Sequence, residues 1–171
     1  MRYHFVDAPF GKLLLAGEDA LELVGFPRGK MAVGVGEGWV EDRHSFTDAS
    51  AQLLAYFGGE LKEFSVKMKP SGTVFQREVL DALNSIPYGE TRSYKDIAEM
   101  IGRPKSVRAV GAANGRNPLP IIIPCHRVIG ANGSLTGFGG GVDVKAYLLK
   151  LEGGTSGSFV EQAPLDFQQI P

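Results

Sequence analysis

A histidine directly follows the only cysteine of the 171-residue chain, in the stretch 124–130. The thiolate of a cysteine is a nucleophile, and a neighbouring histidine can take the thiol proton. Three isoleucines and three prolines occupy positions 118–124, so we expect Cys125 to lie on stiff backbone that is largely screened from water. A lone cysteine beside an apolar run is also a common inert core residue. The pair Cys125 and His126 therefore leaves two interpretations open, a catalytic thiol and a structural one.

Composition excludes several classes of protein. Hydrophobic residues make up 43% of the chain and charged residues 22%, as is typical of a soluble globular protein. No apolar run approaches the roughly 20 residues that cross a bilayer, and the N-terminus shows no signal-peptide core. One cysteine excludes an intrachain disulfide, and with three scattered histidines it also excludes a structural zinc site. We expect a cytoplasmic protein that uses no metal and no cofactor.

Charge is distributed unevenly along the chain. Residues 1–61 carry five Lys/Arg against nine Asp/Glu, residues 62–127 carry eleven against six, and residues 128–171 carry two against four. A basic middle third in an otherwise acidic protein is typical of a polyanion binder. Ordinary surface lysines would explain the same count equally well.

The first 70 residues predict a scaffold without a catalytic group. Three apolar runs over residues 2–26, separated by turns, predict a β-meander. Asp48 or Ser50 is expected to cap a short helix that ends at Gly58. Residues 27–47 are predicted to form a loop with a weak strand over 31–35, and one more strand is predicted over 61–68.

Residues after the composition shift at 69–72 predict helices. Thr73 is expected to cap the first, whose apolar positions recur at three- and four-residue spacing as Phe75, Val79, Leu80, Leu83 and Ile86. Ser93 is expected to cap the second. Gly102 supplies a turn, and a third helix begins near Ser106 with Val107 and Val110 facing inward. Two short helices joined by a glycine-containing turn form a helix-turn-helix pattern.

Small residues distinguish the second helix of this pair. Ala109, Ala112 and Ala113 form a smooth stripe, and Arg108 is the one long side chain beside them. Such a surface favours close approach to a narrow groove over base reading by long polar side chains. A plain helical hairpin that packs through its alanines is the alternative. A DNA-binding helix about ten residues from a nucleophile suits chemistry on a base taken out of the duplex.

Four signatures in this half resemble the O6-alkylguanine-DNA alkyltransferases. They are the stretch 124–129, the stretch 108–111 with Asn117 and Pro118, the stretch 86–89 with Ser93 and Tyr94, and the C-terminal set Lys145, Leu148, Leu149, Glu152 and Gly153. The resemblance covers residues 73–153 with high specificity and is only architectural over residues 1–70.

The resemblance implies an α+β fold in three parts. Residues 1–70 would form a ribonuclease-H-like scaffold domain, an antiparallel sheet plus a helix. Residues 71–153 would form a mostly helical winged-helix or helix-turn-helix domain that binds DNA and carries the catalytic site. Residues 154–171 extend beyond the matched region, and their glycine- and serine-rich start predicts a flexible extension.

It also implies roles for four catalytic residues. Cys125 would accept the alkyl group from O6 of guanine, and also from O4 of thymine, in a single irreversible turnover. His126 would draw the thiol proton through a water, and Glu152 would orient His126. Tyr94 would donate its hydroxyl proton towards the leaving guanine.

The implied partner is double-stranded DNA that bears an alkylated guanine, bound through its minor groove. No membrane and no obligate protein partner is expected, and the protein would act as a monomer. Arg108 would replace the extruded nucleotide in the base stack. The remaining DNA contacts would come from Ser93, Ala109, Ala112 and Ala113. The base pocket would be formed by Asn117, Pro120, Val128, Phe138 and Gly139.

Three alternatives stay open at this point. An alkyltransferase-like damage sensor would lack the cysteine that this chain has. A helix-turn-helix regulator with a structural cysteine would need long base-reading side chains in place of the alanines. A thiol hydrolase would need an oxyanion hole and multiple turnover. The glycine-rich stretch 138–141 departs from the family, which puts the tolerance for large alkyl groups in doubt.

Overall fold

An antiparallel meander opens the chain in the computed structural model, which describes residues 1–135 and 138–153. Strands β1 (Arg2–Ala8), β2 (Gly11–Gly17) and β3 (Leu21–Gly25) pair in sequence order, as predicted. A short strand, β4 (Val40–Glu41), lies parallel to β1 and completes the order β3-β2-β1-β4. The sheet is therefore mixed at one edge, and the predicted loop 27–47 contains a strand.

Helix α1 (Thr47–Phe57) packs on this sheet through Ala49, Leu53 and Tyr56. The predicted cap is wrong. The helix begins after Phe46, which has a left-handed backbone (φ 58°) and gives no side-chain cap. Ser50 lies inside the helix, where its hydroxyl hydrogen-bonds His4 Nε2 at 2.5 Å, because the helix faces β1 at this point.

The two further strands predicted for this half are wrong. Segment 61–68 is extended but pairs with β3 only around Leu21, whose N–H donates to Lys67 O and whose carbonyl accepts from Lys69 N–H. Segment 31–35 contributes a single bridge, Phe26 to Ala32. Apolar side chains of 61–68 instead pack on the core, so their hydrophobicity reflects burial and not sheet pairing.

Helices α2 (Val74–Asn84), α3 (Tyr94–Met100), α4 (Val107–Gly115) and α5 (Val142–Leu151) form the second half. The two predicted caps are confirmed. Thr73 and Ser93 each accept a hydrogen bond from the backbone three residues on, and Gln76 and Asp96 return it in two capping boxes. These caps fix where α2 and α3 start.

The pair α3 and α4 is the predicted helix-turn-helix, with Gly102 in the left-handed conformation (φ +75°) at the turn. Ile97 and Ala98 of α3 are buried, as is Val110 of α4. Val107 was predicted to face inward but is 37% exposed, because it is the first residue of α4 and the buried positions of this helix begin only at Val110.

One apolar core runs from the sheet through α1 to α2, α3 and α4. Within the described ranges, every helix is too short or too polar to cross a membrane.

Candidate active site

Cys125 begins a short 3₁₀ turn, Cys125–Arg127, that leads into strand β6 (Val128–Ile129). Strand β6 pairs in parallel with β5 (Arg92–Ser93), which ends where α3 begins. The thiol residue is fully buried, at 0% exposure. The pairing therefore places the start of the helix-turn-helix beside the cysteine strand.

The loop before the cysteine is held by Asn117. Its side-chain Nδ2 donates to Ile123 O at 2.9 Å, and its Oδ1 accepts from Leu119 N–H at 3.0 Å. Ile121 lies between these anchors with φ 76°, a left-handed conformation that is strained for a β-branched residue. Such strain persists only where the surroundings fix it, and it is frequent at functional sites. Asn117 therefore joins the end of α4 to a rigid cysteine loop.

Glu152, just after α5, accepts four hydrogen bonds at the bottom of the site. Oε2 accepts from Tyr56 O–H at 2.5 Å, from His126 Nε2 at 2.7 Å and from Arg127 Nη2 at 3.1 Å. Oε1 accepts from Arg127 Nε at 2.7 Å. The side chains of His126 and Glu152 are completely buried. Glu152 is therefore the centre of a buried network that includes Tyr56 from the first half of the chain.

The charge state of this network follows from its donors. Burial alone would raise the pKa of Glu152, but hydrogen bonds and charges from His126 and Arg127 hold it at about 2. Glu152 is therefore ionised and can only accept hydrogen bonds. His126 Nε2 must then carry a proton and donate a hydrogen bond to Glu152. Burial lowers the pKa of His126, which keeps the ring neutral. The remaining ring nitrogen, Nδ1, is then a buried acceptor to which none of the described residues donates a hydrogen bond.

Cys125 is a protonated thiol in this environment. Burial raises the pKa of Cys125 to about 11, although a hydrogen bond from Asn117 and the charge of Lys145 oppose this. Lys145 is itself buried, and its Nζ donates to Val128 O at 2.5 Å. Burial lowers the pKa of Lys145 to about 8. At neutral pH the site thus holds a protonated thiol, a neutral imidazole and a buried ammonium.

Tyr94 is the first residue of α3 and is half-buried, and a Cβ at Gly111 of α4 would lie 3.9 Å from its ring. Burial and the nearby Cys125 raise the pKa of its hydroxyl, so the phenol keeps its proton. The structure thus brings Tyr94 into the electrostatic environment of the cysteine.

The residues predicted to contact DNA differ in how far they are exposed. Arg108, Ala109 and Ala112 are exposed on α4. The prediction that Ala113 contacts DNA is corrected, because this residue is only 4% exposed and belongs to the core. Its position on the helix turns it towards the protein, so the predicted stripe narrows to Ala109 and Ala112. Ser93 is half-buried and uses its hydroxyl to cap α3.

The residues predicted to form the base pocket are all buried, namely Asn117, Pro120, Val128, Phe138 and Gly139. Phe138 packs edge-on against Phe26, with ring centroids 5.8 Å apart. Gly139 O accepts from Met31 N–H at 3.1 Å, and a Cβ at Gly139 would lie 2.6 Å from Met31 Cγ. The stretch 138–139 is therefore held by the first half of the chain. The predicted extension 154–171 lies outside the described residues.

Sequence reasoning missed three members of the site. Arg127 lies in the stretch 124–129 that resembles the family. A charged residue within an apolar run is often buried against an opposite charge, and this signal could have identified it. Lys145 was noted without a role. Tyr56 gives no local signal, because its partner Glu152 is 96 residues away.

In the described part of the chain, no three of His, Cys, Asp and Glu are grouped closely enough to hold a metal ion.

Two family models match the chain and together span almost all of the described residues. The ribonuclease-like domain of 6-O-methylguanine DNA methyltransferase matches residues 1–70, and the DNA binding domain of the same family matches residues 74–154.

Individual relatives agree with the family models. The methylated-DNA–protein-cysteine methyltransferase of Methanosarcina acetivorans is 57% identical over 154 residues, which cover 90% of this chain and 99% of the relative. The protein of the same name from Methanosarcina barkeri is 52% identical, covering 89% and 97%. The crystal structure of Mycobacterium tuberculosis OGT in complex with DNA superposes with a TM-score of 0.86 at 46% identity and covers all of both chains.

Proposed function

From the premise that this chain belongs to the 6-O-methylguanine DNA methyltransferase family, we propose that Cys125 is its alkyl acceptor and O6-alkylguanine its substrate. The chain is an enzyme of DNA repair that binds DNA and transfers a methyl group from methylated DNA to one of its own cysteines. Cys125 is the only cysteine that the sequence offers for this reaction.

The transfer is a direct displacement at carbon. Sγ of Cys125 attacks the methyl carbon, the S–C bond forms, and the C–O6 bond breaks with its electron pair going to O6. The thiol proton goes to the base, the purine gains a proton at N1 from Tyr94, and the proton held by the base returns to the phenolate, so atoms and charges balance. A thioether has no route back to a thiol in this site, and each molecule therefore acts once.

His126 is the base that starts this reaction. Its Nε2–H is committed to Glu152, so Nδ1 accepts the thiol proton through a bridging water. Ionised Glu152 stabilises the imidazolium that forms, and Lys145 stabilises the thiolate by charge. This is the nucleophile, base and orienting carboxylate arrangement of a triad with sulfur as the nucleophile.

Tyr94 supplies the proton at the purine. A buried phenol whose pKa is raised remains protonated at neutral pH and donates a hydrogen bond to a base that enters the site. Donation stabilises the negative charge that develops on the purine as the C–O6 bond breaks.

The exposed face of α4 reads shape and not sequence. Ala109 and Ala112 let the helix backbone approach the minor groove, and Arg108 fills the gap left by the extruded nucleotide. Phosphate contacts from the basic middle third, a net +5 over residues 62–127, dominate affinity, so binding weakens with salt. Ser93 contributes through its cap, by fixing the start of α3 next to the groove.

The extruded base enters a pocket formed by Asn117, Pro120, Val128, Phe138 and Gly139. O4-alkylthymine presents the same alkyl–oxygen bond and is a second substrate. The duplex is bound without a protein partner.

The observation that carries the proposal is a buried thiol followed directly in sequence by a buried imidazole whose Nε2 is fixed by an ionised carboxylate. The test incubates the protein with a duplex containing O6-methylguanine and measures its intact mass, followed by peptide mapping. A gain of one methyl on Cys125 is expected, and none for Cys125→Ser, which should still bind the duplex. An adduct on another residue would refute the assignment.

A further inference from the structure

We propose that Tyr56, from the N-terminal half, is a positioning residue that fixes Glu152 and sets the basicity of His126. The inference rests on the proposed function, because it assigns Tyr56 a part in activating Cys125. Tyr56 would act through Glu152 and would not touch the substrate.

The position of Tyr56 is tightly defined. It lies on the buried face of α1 at 0% exposure, the largest side chain in the described residues that is so completely buried. Three aromatic rings hold it, with centroid distances of 5.3 Å to Phe64, 5.6 Å to Phe57 and 6.4 Å to Tyr88. Its hydroxyl lies 2.5 Å from Glu152 Oε2. A ring so confined delivers its hydroxyl proton to one place.

The direction of this hydrogen bond is fixed by charge. Glu152 is ionised, and burial together with the charge of Glu152 raises the pKa of Tyr56 well above 10. The phenol therefore donates and the carboxylate accepts. The accepting oxygen, Oε2, is the same atom that accepts from His126.

Sharing one oxygen gives Tyr56 two effects on His126. It anchors the carboxylate, so the imidazole keeps the single orientation in which Nε2 bonds Oε2 and Nδ1 stays unbonded. It also withdraws negative charge from Oε2, which makes the imidazolium less favourable and keeps His126 neutral before the reaction. Without the hydroxyl, we expect Glu152 to pull the pKa of His126 upward.

The other charged and titratable groups around His126 come from neighbouring elements. Arg127 shares the 3₁₀ turn, and Lys145 faces the site from α5. Tyr88, which precedes β5, packs against Tyr56 and donates its hydroxyl to Leu151 O at 3.2 Å. Of these groups, Arg127 is the one that, like Tyr56, hydrogen-bonds Glu152. Lys145, whose pKa burial lowers to about 8, titrates within the assay range in wild type and variants alike, so a change in the pH profile on losing one hydroxyl is assigned to that hydroxyl.

Tyr88 provides the matched control. Tyr56→Phe and Tyr88→Phe each delete one hydroxyl and keep the ring, but only the first hydroxyl touches Glu152. Full-length wild type and both variants are mixed in excess with a duplex containing O6-methylguanine. Single-turnover rates of transfer to Cys125 are then followed from pH 5.5 to 9. All assays run well below the lower unfolding midpoint of the two variants, so that each protein stays folded.

For Tyr56→Phe we expect a rate roughly tenfold lower at pH 7, as for loss of a hydrogen bond to a charged group. The acidic side of the pH–rate profile of this variant should shift to higher pH. Its loss of rate relative to wild type therefore grows below pH 7 and shrinks above pH 8. Tyr88→Phe should keep the wild-type profile. In a Glu152→Gln background, Tyr56→Phe should change the rate less than twofold, because the carboxylate through which Tyr56 acts is absent.

Two outcomes would overturn the inference while leaving the proposed function intact. One is a Tyr56→Phe rate and profile equal to wild type. The other is a uniform loss at every pH, which would indicate a merely structural role. Failure of the wild-type protein to transfer would instead overturn the proposed function, and the two failures are therefore distinguishable.

Discussion

The imidazole of His126 and the carboxylate of Glu152 hydrogen-bond at 2.7 Å, 26 residues apart in sequence, with both side chains fully buried. Arg127, which follows His126 directly, neutralises the same carboxylate from the other side. An isolated buried carboxylate would take up a proton, but this one stays ionised and so dictates the tautomer of the histidine.

Replacing Glu152 by glutamine should destabilise the protein by about 3–5 kcal/mol, because it leaves the buried guanidinium of Arg127 without its counter-charge. Chemical denaturation of wild type and variant measures the difference. Glu78→Gln is the matched control. It breaks the pair with Arg103, whose side chains are 38% and 50% exposed, and should cost about 0–1 kcal/mol. Equal losses for both variants would contradict the network.

The stabilisation from Glu152 should disappear in acid. Its pKa is lowered from 4.5 to about 2 in the folded protein, so the unfolded chain binds this proton more readily. The contribution is complete above about pH 4.5 and is lost as the pH falls towards 2. The difference in free energy of unfolding between wild type and Glu152→Gln should therefore shrink over this range. A difference that is independent of pH would argue that the variant acts through packing.

Removing the buried cation should slow transfer in a pH-dependent way. Lys145→Met deletes the charge that favours the Cys125 thiolate, and we expect a loss of about tenfold at pH 7. The pKa of Lys145 is lowered to about 8, so wild type loses the same charge as the pH rises. The ratio of wild-type to variant rate should accordingly fall towards one above pH 9. Lys150→Met, on the exposed side of the same helix, should leave the rate unchanged.

Arg108→Ala should separate base extrusion from chemistry. The side chain is exposed on α4 and takes no part in the Glu152 network, so its loss should leave the thiol intact. We expect transfer from duplex DNA to slow by at least tenfold, while transfer from free O6-benzylguanine stays within about twofold, since unstacking costs a few kcal/mol only in the duplex. Arg116→Ala, exposed at the end of α4, serves as the control. Equal slowing on both substrates would reject this role.

Local patterns predicted much of the fold and the centre of the site. The meander, the capping boxes of Thr73 and Ser93 and the turn at Gly102 depend on neighbouring residues, so the sequence shows them directly. The strand predicted over 61–68 failed because the apolar side chains there pack on the core and the segment pairs with β3 only around Leu21. The prediction for Ala113 failed because the last turn of α4 packs into the core, which the sequence of the helix alone does not show.

The charge network could not be predicted in the same way. Residue adjacency identified Cys125 and His126, and family resemblance supplied Glu152, but Tyr56 reaches the site only through the packing of α1. The pKa values of these groups depend on burial that arises when both halves of the chain fold together.

The most direct test of the central claim is the stoichiometry of repair. Limiting protein is incubated with excess duplex containing O6-methylguanine, and the restored guanine and methylated Cys125 are counted at completion. The account predicts one guanine restored and one methyl on Cys125 for each protein molecule, with no further reaction. More than one guanine restored per molecule, or restoration without methylated Cys125, would contradict it.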